Sequence, residues 1–312
     1  MNRVALKGFL SFGLLVLIML FFAGCKSYKK QDEERIETPI RGRIIISADE
    51  SFKPVIDAQI QVFEANNPNA TVVVHYKPEA ECLKDLFVDS VRMVITTRAP
   101  SKYEDRYMRD SLQVSASWNV TARDAIAVIV HPDSPDTLYS MDEIRQVLTG
   151  TYEKKLIPVF DGVQATSTVR YIVDSVLKND SLGKTAVAAK TSQEVIDYVS
   201  RTPSAIGFIG VSWIGNRDDS MQVSFLQKVK IAWIESADKP GAYVLPVQAN
   251  INEKRYPMVR DLVYVLKERI HLGLGYGFAG FLNGEIGQLI FKRAYLAPAH
   301  RNFILRTVQV RE

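Results

Sequence analysis

Short apolar runs alternate with amphipathic helical segments along most of this 312-residue chain. Residues 43–47, 71–76 and 91–96 are rich in β-branched side chains, which favours strands, whereas residues 55–63 carry apolar side chains at helical spacing. Strands that are apolar on both faces are typical of a parallel sheet covered by helices on each side. The alternation therefore predicts an α/β fold.

The second half of the chain continues this pattern. Extended segments are predicted at 125–130, 156–160, 205–210, 223–235, 243–247 and 303–310, helices at 81–89, 141–148 and 192–201, a further helix ending near 177, and long elements at 257–268 and 280–295. No internal repeat is visible. Roughly 270 residues follow residue 42, which is enough for two lobes of ordinary size.

Composition and charge narrow the class of protein. Hydrophobic residues make up 47% and charged residues 24% of the chain, which is typical of a soluble globular protein. The formal net charge of +4 is too small to indicate nucleic-acid binding. The histidines are His75, His131, His271 and His300. Because they lack metal-ligand spacing, neither a zinc site nor another cofactor is expected.

The first 25 residues have the parts of a secretory signal. Arg3 and Lys7 form a basic start, residues 9–22 form a short apolar core, and Ala-Gly-Cys follows, ending at Cys25. The core is too short for a comfortable transmembrane helix. The segment resembles a bacterial lipoprotein signal, which implies a cleaved peptide 1–24 and a lipid on Cys25. An ordinary signal peptide with an incidental cysteine is the alternative.

Charged residues dominate the stretch after the signal, residues 25–42, and apolar side chains are few. Such a segment cannot bury itself, and it is predicted to be a flexible tether. Once Cys25 carries lipid, Cys82 is the remaining cysteine. A single cysteine cannot form an internal disulfide, so Cys82 is expected to be a small buried or half-buried side chain.

Polar residues occur at three points where a predicted strand meets a predicted helix. Ser51 and Phe52 follow the first strand, Glu79 opens the helix after the second, and the hydroxyl triplet Thr166–Thr168 opens a later helix. One hydroxyl would be enough to cap a helix, and three leave spare donors for an anion. Since ligands of open parallel sheets bind at the carboxyl ends of strands, the triplet favours an anion site over an over-capped surface helix.

Several stretches, taken in order, resemble the type II periplasmic binding proteins, specifically the phosphate-binding lipoproteins of bacterial ABC importers. They are the Ser-Phe helix start, the ITTRAP strand end, the RDAIAVIVHPDSP strand, the MDEIRQVLTG helix, the Thr-Ser-Thr turn, AIGFIG and GYGFAGFLNGEIGQLIFKRAYLAP. The resemblance covers residues 43–296. It implies an α/β fold with two lobes, mixed and mostly parallel sheets, two interlobe crossovers and a ligand clamped in the cleft.

The resemblance also implies a ligand site. Members of the family hold phosphate with helix N-termini and hydroxyls, pair it with a guanidinium and accept its remaining proton on a carboxylate. Carried over by position, the ligand-binding residues are Ser51, Phe52, Glu79, Arg98, Asp161, Thr166, Ser167 and Thr168.

This chain departs from the family pattern at two of these positions. Glu79 stands in a loop that usually offers Ser and Gly, and it either caps its helix or occupies the place of the anion. Asp161 lies where the family carries an arginine, and Arg98 lies where it carries an ionisable residue. The fold therefore carries over more directly than phosphate specificity does.

Two crossovers, near 117–122 and 242–246, divide the implied fold. Lobe 1 comprises residues 43–118 and 246–312, and lobe 2 comprises residues 119–245. Hinged closure of the lobes around the ligand is expected. The implied partners are phosphate or a similar oxyanion, an ABC-importer permease and a membrane reached through the lipid anchor. A monomeric lipoprotein that faces the periplasm and binds no nucleic acid is expected.

Two other functions remain open at this point. A binding-protein fold with a rebuilt pocket would recognise another solute or act as a non-transport envelope lipoprotein. An enzyme acting on phosphate esters would need a nucleophile and a base, and Ser167 has no Gly-x-Ser-x-Gly elbow or obvious histidine partner. The glycine-rich stretch 273–277 follows no strand of a βαβ unit, so it is interpreted as a turn rather than a dinucleotide loop.

Overall fold

The computed structural model of the chain describes residues 37–162, 166–178, 180–270 and 272–300. The predicted signal peptide 1–24, Cys25, most of the tether and the predicted strand 303–310 lie outside these ranges. Within them, none of the helices has both the length and the apolar character that crossing a membrane requires.

Strands and helices alternate along the described chain. The strands are β1 (Arg41–Asp49), β2 (Asn69–Lys77), β3 (Val91–Thr96), β4 (Ser117–Val130), β5 (Leu138–Tyr139), β6 (Ile157–Phe160), β7 (Val187–Ala188), β8 (Ala205–Gly210), β9 (Lys230–Ile231), β10 (Trp233–Glu235), β11 (Tyr243–Val244), β12 (Val259–Leu266) and β13 (Ala297–Pro298). The α-helices are α1 (Lys53–Asn66), α2 (Glu79–Lys84), α3 (Lys102–Asp110), α4 (Met141–Thr149), α5 (Ser167–Tyr171), α6 (Ser192–Arg201), α7 (Ser220–Lys228), α8 (Gln248–Asn252), α9 (Leu274–Asn283) and α10 (Glu285–Arg293). Short 3-10 turns occupy Glu50–Phe52, Asp85–Phe87 and Val211–Trp213, and a π-helical turn, Ile172–Val176, continues α5.

One long mixed sheet runs through the molecule in the order β2-β1-β3-β12-β4-β8-β6-β7, and β9 and β13 also pair with β4. The strand β4 joins its two halves, because residues 117–125 pair with β12 and residues 126–130 pair with β8. Lobe 1 lies on the β12 side of this point and lobe 2 on the β8 side. The arrangement confirms the predicted two-lobed α/β fold.

In the long sheet, parallel pairing is confined to the outer part of each lobe, and β5 and β10 also pair in parallel in a separate small sheet. In lobe 1, β1 pairs in parallel with β2 and β3, and in lobe 2, β6 does so with β7 and β8. The strands β4 and β12 are antiparallel to all their neighbours in this sheet. The sheet therefore has fewer parallel pairs than predicted, because β4 carries the chain out of lobe 1 and β12 carries it back in the opposite direction.

The helix α1 covers lobe 1 with the face that its sequence spacing predicts. The side chains of Val55, Ile56, Ile60 and Phe63 are buried there. Phe63 packs edge-on against Phe278 of α9, with ring centroids 5.2 Å apart. This packing holds the C-terminal part of α1 against α9.

The segment 223–235 differs from its sequence prediction. It was predicted to be extended throughout, but its first part belongs to α7. Asp219 caps this helix by accepting hydrogen bonds from the backbone N–H groups of Met221 and Gln222 at 2.9 and 3.1 Å. The cap lies four residues before the predicted segment, so the composition of the segment alone did not reveal the helix.

Residues 37–42 belong to the folded domain rather than to the tether. Glu37 Oε1 lies 2.5 Å from Arg92 Nη2 and accepts a hydrogen bond from the backbone N–H of Leu274 at 2.8 Å. Leu274 is the first residue of α9, so Glu37 also meets the positive end of a helix dipole. The predicted tether boundary at residue 42 is therefore wrong, because a charged residue of the segment finds partners that are distant in sequence.

Gly277 lies where α9 meets this segment, and a Cβ atom there would come within 1.7 Å of the Pro39 carbonyl oxygen. We expect Gly277→Ala to lower the free energy of unfolding by about 1–3 kcal/mol, since the helix or the segment must shift. Gly280→Ala, where nothing lies within 4 Å of an added Cβ, is the matched control and should stabilise by about 0.5–1 kcal/mol through helix propensity. Urea unfolding measures both, and equal effects would contradict the close packing.

Candidate functional site

The loops that follow β1 and β6 meet between the two lobes. Ser51 lies in the 3-10 turn after β1, and Ser167 is the first residue of α5. The Ser51 hydroxyl donates to Asp161 Oδ2 at 3.0 Å and lies 3.5 Å from Ser167 Oγ. All three side chains are buried. The cleft therefore brings together polar groups from both lobes that are more than a hundred residues apart in the chain.

The hydroxyl triplet divides into one cap and two groups that face the cleft. Thr166 has extended backbone angles, and its Oγ1 accepts a hydrogen bond from the Val169 backbone N–H at 3.3 Å. The hydroxyl oxygens of Ser167 and Thr168 instead accept from Arg260 Nη1, at 2.7 and 3.2 Å. Each of these two hydroxyls keeps its own hydrogen to donate, and the Asp49 carboxylate is an acceptor within reach of Ser167.

Arg260 places a guanidinium at the centre of this cluster. Its Nε donates to Asp124 Oδ2 at 2.9 Å, and Asp124 is its direct cross-strand partner in the ladder between β12 and β4. Its Nη2 lies 2.8 Å from the same carboxylate oxygen but without hydrogen-bond alignment. The guanidinium carbon also lies 4.9 Å from the centre of the Phe52 ring. Arg260 is thus held at the junction of the lobes with one buried nitrogen lacking a well-aligned acceptor.

Carboxylates surround the hydroxyls on the other side. Asp161 Oδ2 accepts from Ser192 Oγ at 3.0 Å as well as from Ser51, and Glu50 Oε2 lies 3.3 Å from the same Ser192 hydroxyl. Asp49 Oδ1 accepts the Ser51 backbone N–H at 3.0 Å. Asp49 Oδ2 and Asp161 Oδ1 are buried and have no partner among the described residues. The site therefore contains two buried carboxylate oxygens without a hydrogen-bond partner, besides the poorly aligned nitrogen of Arg260.

Burial changes the protonation of two of these carboxyls. Burial raises the pKa of Asp49 to about 6, although the positive charge of Arg260 opposes it. Burial, together with the charges of Asp161 and Asp49, raises the pKa of Glu50 to about 7. Near neutral pH the cluster therefore holds protons that ordinary surface carboxyls would have released.

These shifts predict a pH-dependent stability. Because the folded state keeps a proton on Glu50 that the unfolded chain releases above pH 4.5, stability should fall as the pH rises from about 4.5 to 7. We expect Glu50→Gln to raise stability at pH 8 by at most about 2–3 kcal/mol and to leave it unchanged at pH 4. Thermal melts of Glu50→Gln between pH 4 and pH 8 test this prediction, and Glu81→Gln, at an exposed position, is the control. An unaltered pH slope in Glu50→Gln would contradict the prediction.

Glu79 lies in a second network beside this cluster. Its carboxylate accepts hydrogen bonds from the Thr97 backbone N–H and hydroxyl, at 2.9 and 2.5 Å, and from Arg170 Nε at 2.5 Å. Burial alone would raise the pKa of Glu79, but the hydrogen bonds and charge of Arg170, with those from Thr97, outweigh it and lower the pKa. Glu79 is therefore an ionised, fully partnered carboxylate, and its contacts are with protein donors.

Arg98 does not reach the cluster, so its predicted role as the guanidinium that pairs with the ligand is wrong. Its two terminal nitrogens each donate to Glu104 at 2.7 Å, and one also donates to the Ala99 carbonyl. Glu104 is held in place because it forms a capping box with Ser101 at the start of α3. Arg98 is thus bound to the capping residue Glu104 and does not contact the cleft.

The structure thus brings together Ser51, Phe52, Asp161, Ser167 and Thr168, with Thr166 as the cap and Glu79 in the adjacent network. Sequence reasoning missed Asp49, Glu50, Thr97, Asp124, Arg170, Ser192 and Arg260. Asp49 and Glu50 stand directly before Ser51, so that signal was available. For Arg260 and Asp124 the sequence offers only a weak signal, since each is a charged residue that stands next to an apolar strand.

The described residues contain no group of three His, Cys, Asp or Glu side chains arranged to hold a metal ion. His271, one of the scattered histidines, lies outside the described ranges. Cys82 is buried, as expected, and burial raises the pKa of its thiol to about 12.

Known proteins resemble this chain over nearly its whole length. Phosphate-binding protein PstS of Borreliella burgdorferi is 21% identical over 290 residues, covering 88% of this chain and 94% of that protein. A protein assigned as a phosphate ABC transporter substrate-binding protein, from Clostridium perfringens and with bound phosphate, matches with a TM-score of 0.67 at 19% identity, covering 83% and 100% of the two chains. An ABC-type phosphate transport receptor from Vibrio cholerae matches with a TM-score of 0.60 at 16% identity, covering 81% and 99%. At these identities the solved structures establish likeness of fold.

The family comparison agrees with this likeness. Residues 33–284 match the PBP superfamily domain. This range contains the strands of the long sheet except β13, the loops after β1 and β6, and the strand that carries Arg260. The chain therefore belongs to the PBP superfamily.

Proposed function

We propose that this protein is a solute-binding protein that captures phosphate, or a similar protonated oxyanion, between its lobes and delivers it to an ABC importer. One observation carries the proposal. The buried cleft combines a guanidinium nitrogen of Arg260 without an aligned acceptor with two carboxylate oxygens, of Asp49 and Asp161, without donors. A protonated oxyanion supplies both kinds of partner, since its oxygens accept hydrogen bonds and its O–H groups donate them.

The hydroxyls of the cleft fit the same ligand. Ser167 and Thr168 can each donate to an anionic oxygen, Ser51 already donates to Asp161, and Arg260 provides charge-assisted hydrogen bonds. Fixed donors in a buried site bind an anion well because they need no reorganisation and are not screened by water. The relatives support this choice of solute, since their names describe phosphate-binding and phosphate-transport proteins. We propose that this chain likewise binds its solute without converting it.

Isothermal titration with phosphate, arsenate and sulfate tests the solute. Phosphate and arsenate carry a proton near neutral pH and should bind, whereas sulfate has no proton to donate to Asp49 or Asp161 and should bind far more weakly. Equal binding of sulfate would contradict the role of the two carboxylates. Absence of binding by all three would overturn the proposal.

A second candidate is a different solute that donates several hydrogen bonds. Asp49, Glu50 and Asp161 lie together, and Arg260, whose charge acts on Asp49, is itself paired with Asp124. This surplus of acceptors favours a hydrogen-bond donor, such as a neutral or cationic organic solute, over a fully ionised anion. Binding of such a solute in the absence of any oxyanion binding would decide for this candidate.

We also propose that Cys25 is lipidated and holds the protein on the periplasmic side of a membrane, where the importer permease lies. The support is the Ala-Gly-Cys sequence directly after a short apolar core. We expect Cys25→Ser to accumulate as an unlipidated precursor that no longer receives the lipid, and labelled palmitate in growing cells measures the transfer. Equal incorporation in the wild type and in Cys25→Ser would contradict the anchor.

A further inference from the structure

The ion pair between Glu79 and Arg170 crosses the cleft. Glu79 is the first residue of α2 in lobe 1, and Arg170 lies in α5 of lobe 2. The two residues are 91 positions apart in the chain. Any opening of the lobes that separates α2 from α5 must therefore break this pair.

Donors from both lobes converge on the Glu79 carboxylate. Arg170 Nε donates to Oε2 at 2.5 Å, and Arg170 Nη2 contacts Oε1 at 3.3 Å. Thr97, from lobe 1, donates to Oε1 through its backbone N–H and its hydroxyl. Arg170 Nη2 also donates to the Thr97 hydroxyl oxygen at 2.6 Å. The guanidinium thus binds two lobe 1 residues at once.

The exposure of the partners places the pair at the edge of the lobe interface. The Glu79 side chain is 1% exposed and that of Arg170 is 35% exposed. Burying a carboxylate is costly unless a cation and hydrogen-bond donors replace its water. When the lobes meet, Arg170 provides that replacement. When they part, the Arg170 guanidinium is solvated by water, and Asp174, four residues further along the chain, stays beside it. The pair therefore favours the closed arrangement.

Among the described residues, the other ion pairs between the lobes lie at the chain connections: Arg123–Asp261 joins β4 to β12, and Arg255–Asp238 flanks the crossover near 242–246. The Arg260–Asp124 pair lies within the two strands that connect the lobes, so it does not have to break when the cleft opens. The other contacts between the lobes include hydrogen bonds that serine hydroxyls donate to carboxylates, as from Ser192 to Glu50, and one that the Trp213 indole donates to the Ser51 carbonyl. Glu79 and Arg170 thus form the ion pair that has to break when the cleft opens.

From this geometry we infer that Glu79 and Arg170 form an interlobe latch. They are positioning residues that hold the lobes closed and slow the release of the solute, without binding the solute themselves. The part of this inference that concerns solute release rests on the proposed function. The part that concerns lobe closure does not, because it is a property of the protein alone.

The structure offers a matched control for the latch. Arg98 and Glu104 form an arginine–glutamate pair with similar exposure, 31% and 10%, but both residues lie in lobe 1. Breaking either pair removes the same kind of interaction from the protein. Only the latch variant should change the distance between the lobes.

Spin labels at Ser90→Cys in lobe 1 and Glu153→Cys in lobe 2, both exposed positions, report that distance by double electron–electron resonance. The labelled protein carries Cys25→Ser, and Cys82 is buried. Without added solute, Arg170→Gln should shift the distance distribution toward longer values, Arg170→Lys should give an intermediate shift, and Arg98→Gln should match the parent. An unchanged distribution in Arg170→Gln, or an equal shift in Arg98→Gln, would overturn the latch.

Stopped-flow measurement of phosphate release provides the second readout. Arg170→Gln should release phosphate about fivefold to tenfold faster while the association rate changes little, since the lost contact acts mainly on opening. A failure of the wild type to bind phosphate would contradict the proposed function and leave the distance measurement as the deciding test of the latch. A release rate in Arg170→Gln equal to that of Arg98→Gln would count against the latch.

Discussion

Ser167→Ala combined with Thr168→Ala is expected to weaken phosphate binding about hundredfold, because two buried donors to the anion are lost at roughly 1.5 kcal/mol or more each. Their hydroxyls face Arg260 and the cleft rather than the backbone of α5. The free energy of unfolding should change much less, since the cap of the helix stays in place. Isothermal titration and thermal melting on the same samples measure both effects.

Thr166→Ala is the matched control for this double variant. Thr166 is the residue that caps α5, through its contact with the Val169 backbone N–H. Its replacement should lower stability by about 1 kcal/mol and leave phosphate affinity close to that of the wild type. If the double variant instead binds as the wild type does and melts lower, Ser167 and Thr168 are structural and the proposed site is wrong.

The elements that sequence reasoning predicted well are those whose signal is local. The apolar runs of β1, β3 and β8 and the buried face of α1 follow from periodicity, which depends on neighbouring residues. The helix start at Thr166 follows from capping chemistry, which also acts within a few positions. The helical part of segment 223–235 was not predicted because its cap, Asp219, lies before the segment and outside its local pattern.

The site was predicted only where its residues follow strand ends. Ser51 and Ser167 could be placed together because the carboxyl ends of strands converge in this kind of sheet. Arg260 could not, since its role depends on cross-strand pairing with Asp124, 136 positions away, and nothing local encodes that register. The position of Arg98 near a strand end predicts a ligand contact, but Glu104, which forms a local capping box, binds its guanidinium.

The residue with the largest expected effect is therefore one that the sequence did not reveal. We expect Arg260→Met to weaken phosphate binding at least about thousandfold, because it removes the guanidinium at the centre of the cleft. The same change leaves the fully buried Asp124 without its cation, which should lower the free energy of unfolding by about 3–5 kcal/mol. Loss of binding by the single variant would thus be confounded with loss of folding.

Adding Asp124→Asn to Arg260→Met separates the two effects. The amide is neutral, so the buried charge disappears, and its oxygen can still accept from the Val211 backbone N–H that contacts Asp124 at 3.2 Å. We expect urea unfolding of the double variant to show that much of the lost stability returns, while titration shows that phosphate binding does not. Recovery of binding together with stability would mean that Arg260 only supports the fold, and that the guanidinium for the anion must be sought elsewhere in the cleft.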